Sequence, residues 1–203
     1  MNITQALSAP NSSTRLRAAL AAGTDPDPEH LVSLMERCSA ETDFFVRDML
    51  TWALTRHPEN NTLPLLAAAL SDPSPQARSQ ALHTLSKISH PGTWEMVSTQ
   101  LLHDATPSVR TAAWRLAVVV VPDAQRRELA AELVMELGRG DEETQRSLSR
   151  ALAALEEETI PLLMAVAAHT QATRSFMDDP EGSISAYLHD ARRVAALGQW
   201  AQT

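Results

Sequence analysis

An arginine recurs along this chain at a nearly fixed interval, and that interval limits the fold more than any other feature. Residues 72–85, Asp-Pro-Ser-Pro-Gln-Ala-Arg-Ser-Gln-Ala-Leu-His-Thr-Leu, align with residues 104–117, Asp-Ala-Thr-Pro-Ser-Val-Arg-Thr-Ala-Ala-Trp-Arg-Leu-Ala. The same frame fits Asp43 to Arg47 followed by Leu50 and Leu54, and Thr14-Arg15 followed by Ala18 and Ala22. Downstream it persists more faintly around Arg146 and Arg174. The ladder is Arg15, Arg47, Arg78, Arg110, Arg146 and Arg174, with steps of 32, 31, 32, 36 and 28 residues. Self-similarity at this period marks an array in which each unit buries its apolar face against its neighbours.

Composition says what each unit is made of. The chain has 32 Ala and 26 Leu against 11 Val, 4 Ile and 8 aromatic residues. Small and straight-chain residues favour helix, and β-branched and aromatic residues favour strand, so an all-α chain is expected. Each unit divides into two helices. First helices are predicted at 27–38, 62–70, 93–103, 123–137 and 158–169, and second helices around the ladder at 43–57, 75–90, 107–120 and 142–155. Helix-start signals lie between them, as in Ser71-Asp-Pro-Ser-Pro75 and Asp104-Ala-Thr-Pro107. His57-Pro58 and His90-Pro91, 33 residues apart, stop one unit and begin the next. A single domain over 1–203 is expected: a capping pair at 1–25, repeats over 26–170, and an irregular last repeat with a C-terminal cap over 171–203 that carries Arg192 and Arg193.

The pattern of an acidic residue, a short gap, then Val-Arg or Ala-Arg and small residues at helical spacing resembles the HEAT repeats. More narrowly it is similar to the short bacterial HEAT-like repeats also found in phycobilin lyases. The resemblance is sharpest at 72–88 and 104–117 and good at 43–57. It implies a right-handed α-solenoid of about six helix pairs, with second helices lining a concave side. It also implies that each ladder arginine is structural and pairs with an acidic residue of its own or the next repeat. Asp43, Asp72, Asp104 and Asp141 stand four to six residues before Arg47, Arg78, Arg110 and Arg146.

Most chemistry is absent from the sequence. Cys38 is the only cysteine, so an intramolecular disulfide, a CxxC pair and a Cys-rich zinc site are excluded. On an amphipathic helix it reads as a small buried residue rather than a nucleophile. No P-loop, GxGxxG or GxSxG motif occurs, and six Gly leave little phosphate-cradling loop. HEAT-like hydroxylases hold iron with His-Glu dipeptides, and here the nearest approaches are His103-Asp104 and His189-Asp190, so neither metal nor cofactor is expected. A DNA-alkylation-repeat glycosylase would need a basic groove, whereas the net charge is -8 and Trp52 and Trp114 are followed one turn later by Arg56 and Val118. The apolar run 116–121, like every other in the sequence, is far short of a membrane span, and a cytoplasmic protein is expected.

The groove remains. With the ladder arginine as position zero, positions plus three, four and seven face the core, which leaves plus one, five and eight or nine toward the groove. Plus five reads Trp52, His83 and Arg115, and plus nine reads Arg56 and Lys87. This stripe suits an acidic or phosphorylated segment of a protein partner. The other reading puts Trp52 in the core and the cations on a solvated face. A non-enzymatic interaction scaffold is therefore expected, with a HEAT-like glycosylase or bilin lyase as the alternative.

Overall fold

The second helices begin where a short polar side chain can satisfy the free N–H groups of a first turn. Asn11 accepts from Ser13 N and Thr14 N ahead of α2 (Ser12–Thr24), Asp43 from Phe45 N and Val46 N ahead of α4 (Phe44–Arg56), and Ser74 from Ala77 N ahead of α6 (Pro75–Ile88). In α8 (Pro107–Val120) a proline takes the first position, where its missing N–H is not needed. Asp141 accepts from Thr144 N ahead of α10 (Glu142–Ala154). At the other end, α6 stops on Ser89 in the left-handed conformation (φ 55°), just before His90-Pro91.

The computed structural model describes residues 2–178, and the chain divides into two units, residues 1–156 and 157–203. In the first unit α1 (Ile3–Leu7), α3 (Leu31–Ala40), α5 (Glu59–Ala69), α7 (Thr99–Leu102) and α9 (Arg126–Val134) each precede one of the second helices. The second helices stack in chain order, α2 on α4, α4 on α6, α6 on α8 and α8 on α10. The result is an all-α solenoid of five helix pairs, with no strand among the described residues.

The first helices depart further from expectation than the second. The fourth, expected over 93–103, is a 3-10 helix at Pro91–Met96, an extended break at Val97 and Ser98, and the single turn of α7. Pro91-Gly92 and the β-branched Thr93, Val97 and Thr99 supply little helix propensity, and Ser98 restarts the chain by accepting from Leu101 N. In the second unit, α11 (Thr159–Asp178) is one helix of 20 residues. It runs through Arg174, where a turn between paired helices was expected, because no Gly or Pro follows Pro161 within it. Arg174 is exposed on this helix and ties no turn, so it leaves the structural ladder. The expected C-terminal cap, with Arg192 and Arg193, and the His189-Asp190 pair lie outside the described residues.

Alanine and leucine hold the stack together. Ala19, Ala22, Ala53, Ala113 and Ala117 are fully buried where second helices meet, and Leu34, Leu50, Leu54, Leu82, Leu85 and Leu116 fill the seams. Each such leucine is worth about 1.5–3 kcal/mol relative to exposure. The approach of α2 to α4 is close enough to require a glycine. A Cβ added to Gly23 would stand 2.8 Å from Ala53 Cα and 2.4 Å from the Trp52 ring.

Candidate functional site

Two regions gather side chains that could do more than fill space, and the arginine ladder separates them. On the core side, four ladder arginines make the same contact. Nη1 of Arg15, Arg47, Arg78 and Arg110 donates to the two carbonyls five and six residues upstream, for Arg78 those of Pro73 and Asp72 at 3.1 and 2.8 Å. The arginine thus closes the turn that leads into its own helix. The rest of the guanidinium reaches a carboxylate 26 residues downstream, in the next unit: Arg15 to Glu41 (2.6 Å), Arg78 to Asp104 (2.9 Å) and Arg110 to Glu136 (3.6 Å). Arg15 grips Glu41 with two parallel bonds, from Nε and Nη2, and both side chains are buried. The aspartates four to six residues upstream chiefly cap their own turns, although Asp104 does both.

Two members break the pattern. The step from Arg47 to Arg78 is one residue short, so Pro73 stands 26 residues after Arg47, and Arg47 has no carboxylate partner among the described residues. The step to Arg146 is long, and there the sequence assignment fails. Arg146 is exposed and pairs with Glu142 of its own helix at 3.1 Å. The ladder place belongs to Gln145, whose Nε2 donates to the carbonyls of Glu136 and Arg139 while its Oε1 accepts from Gly138 N. Buried Leu148 and Leu152 then fall at plus three and plus seven from Gln145, in the frame of the other second helices. The extra length lies in the turn at 137–140, where Gly138 and Gly140 both take positive φ.

The junction of the fourth and fifth units holds a cluster that the ladder alone does not reveal. Fully buried Glu136 receives His103 Nδ1 and Arg139 Nη1 and lies beside Arg110, while His103 Nε2 donates to Glu132 at 2.7 Å. Both ring nitrogens of His103 face carboxylates, an arrangement that favours the imidazolium. Burial opposes that charge, but Glu136 and Glu132 outweigh it and raise the His103 pKa. The legible signal is the pair Glu132 and Glu136 at i, i+4 spacing, although in the structure Glu132 is on α9 and Glu136 lies in the turn just after it. Among the described residues no set of three or more ligating side chains could hold a metal. Cys38 is buried, and burial pushes its thiol up to about 12, so no thiolate forms near neutral pH.

The other side of the second helices carries the predicted stripe. Arg56, Lys87 and Arg115 are exposed, His83 is half-buried, and none of these three cations has a carboxylate partner among the described residues. Arg115 Nη1 stands 3.5 Å from His83 Nδ1. Burial first, and then Arg115 and Lys87, lower the His83 pKa, so its ring is neutral and can accept from Arg115. Trp52 falls between the two expectations: its ring covers buried Gly23, yet the residue is 37% exposed. A cleft of about 260 Å³ runs from Phe44 and Asp48 on α4 past His83 to Arg115 on α8. A second cleft, of about 320 Å³, continues from Arg115 to Arg150 on α10, and the two share Ser108, Thr111 and Arg115. Phe44, Asp48 and Arg150 were not singled out from sequence. Asp48 is a plus-one residue of the frame itself, and Arg150 takes plus five once Gln145 replaces Arg146.

Among the described residues no helix is long and apolar enough to cross a membrane. Residues 34–118 match the family model for HEAT repeats. No curated protein matches the chain. HEAT repeats commonly serve as protein-interaction scaffolds, and the family is generally non-catalytic. The stacking of α4, α6 and α8, each with a ladder arginine near its head, agrees with the match of residues 34–118 to HEAT repeats.

Proposed function

We propose that the chain is a non-enzymatic scaffold whose second-helix face binds an acidic or phosphorylated segment of a protein partner, with Trp52, Arg56, His83, Lys87 and Arg115 as the contact set. The observation that carries this reading is the exposed cations Arg56, Lys87 and Arg115 without carboxylate partners among the described residues, of which Arg115 lines two adjoining clefts, in a chain of net charge -8. The described ladder arginines other than Arg174 hold carbonyls or carboxylates, whereas Arg56, Lys87 and Arg115 are left to the solvent side. Guanidinium and ammonium groups on such a face favour carboxylate or phosphate, and a half-exposed Trp supplies an anchor. In this reading the repeats position a surface, and the site is cytoplasmic and needs no cofactor.

The test is binding of labelled acidic and phosphorylated peptides to wild type and to a Trp52→Ala, Arg115→Glu double variant, with circular dichroism and melting temperature measured on both. The expected result is loss of binding with helix content unchanged. Unfolding of the double variant would instead make Trp52 a core residue. Tight, steeply salt-dependent binding of duplex DNA would move the assignment to a nucleic-acid enzyme.

A further inference from the structure

The cleft is polarised along its length, and this sets which residues of a bound segment lie where. At the α4 end the wall is Phe44, which is 65% exposed, and outside the cleft Trp52, 37% exposed, lies two turns further along the same helix. Asp48 sits between the two aromatics on the same helix, one turn from each. At the α8 to α10 end Arg115 and Arg150 line one cleft together with the hydroxyls of Ser108, Thr111 and Ser147. Neither guanidinium has a carboxylate partner among the described residues. Asp141 and Glu143 line the far edge of that cleft, but Asp141 is committed to capping α10 through Thr144 N.

Building on the scaffold reading above, we infer that the partner is an extended segment carrying a large apolar residue and an acidic residue about six positions apart. The apolar residue seats against Phe44, and the acidic one seats on Arg115. The spacing follows from geometry. Stacked helices lie about 10 Å apart, so α4 to α8 spans roughly 20 Å, and an extended chain advances about 3.3 Å per residue. Asp48 enforces the order: an acid placed beside the apolar anchor would face a like charge and leave Arg115 unmatched. His83 couples the two ends. Burial first, and then Arg115 and Lys87, lower its pKa against the opposing pull of Asp48, and an acid on Arg115 cancels part of the cationic repulsion, so binding favours proton uptake at the imidazole.

The experiment uses the full chain and two labelled ten-residue peptides of one composition, one with Trp and Glu six positions apart and the other with them adjacent. Fluorescence anisotropy should show the six-spaced peptide binding at least tenfold more tightly. Arg115→Glu, an exposed substitution that leaves the fold intact, should abolish that preference and restore it for a peptide carrying Lys in place of Glu. Equal affinity for both spacings would overturn the inference while leaving the cleft as the binding face. Failure of both peptides, together with wild-type binding of unrelated acidic peptides in Trp52→Ala, Arg115→Glu, would overturn the cleft assignment as well.

Discussion

Arg110 and Arg146 hold successive places in the sequence ladder and opposite places in the fold. Arg110 is buried, closes the turn before α8 and meets Glu136 of the next unit, whereas Arg146 lies in solvent against Glu142 of its own turn. One residue separates Arg146 from the position that would have made it equivalent, and one residue on a helix is a rotation of about 100°. Residue type and approximate spacing therefore do not define a ladder member. What defines it is a donor aimed at the preceding turn, and Gln145 meets that description with an amide in place of a guanidinium.

The contrast can be broken most forcefully at the first junction. Glu41→Ala removes the carboxylate that Arg15 and Arg37 share, and it leaves the Arg15 guanidinium buried without its counter-ion. The expected loss is about 3–5 kcal/mol, the range for stranding one member of a buried pair. Arg146→Ala removes an exposed pair within one helix and should change stability by no more than about 0.5 kcal/mol. Urea midpoints for the two variants measure both. Equal losses would mean that Arg146 is a ladder member after all.

The same two ends of the stack should respond to pH in opposite directions. Burial alone would raise the Glu41 carboxyl, but hydrogen bonds from Arg15 and from Asp43 N hold it below the usual carboxylate range. Its contribution is present above the unfolded carboxylate pKa of about 4.3 and is lost as pH falls through the lower folded value. His103 is raised against burial by Glu136 and Glu132, in a cluster that also contains Arg110 and Arg139. Its contribution is complete below the unfolded imidazole pKa of about 6.5 and is lost as pH climbs through the higher folded value. Hydrogen exchange resolved by segment should thus show α2 and α4 opening first in acid, and α9 with the turn after α7 loosening first above neutrality. His103→Gln should remove the alkaline response and leave the acid one. If both ends respond alike, the His103 cluster is not charged as described.

The second helices were legible because each begins with a short polar cap or a proline and then repeats small and aliphatic residues at helical spacing. Those local signals and the tertiary packing ask for the same thing. The fourth first helix was not legible, since its apolar spacing was read as helix while Pro91-Gly92 and three β-branched residues weakened the backbone. Nor was the division of the last arginines: the glycine turn at 137–140 shifts the frame of α10, and nothing in 162–178 interrupts α11. In the cleft, exposure of Arg56, Lys87 and Arg115 followed from the frame, but the wall formed by Phe44 did not. A phenylalanine in a first turn reads as core until the packing of its neighbours leaves it outside.

The smallest effect is also the most selective check on the 26-residue rule. Arg47 already donates to the carbonyls of Glu41 and Thr42 and lacks only the carboxylate that its counterparts receive from the next unit, because Pro73 occupies that place. Pro73→Asp supplies it without moving the Pro73 carbonyl that Arg78 uses. Pro73 is exposed, so the new pair should stabilise by no more than about 1 kcal/mol, less the chain entropy gained by the unfolded state when a proline is removed. Comparison with Pro73→Asn separates the two contributions, since both lose the proline and only one gains the charge. If Pro73→Asp is more stable than Pro73→Asn at low salt and the difference fades at high salt, Arg47 is a ladder member waiting for its partner. If the two are equal at all salt concentrations, the shorter step has turned Arg47 away from the next unit, and register rather than the missing acid explains its solitary place.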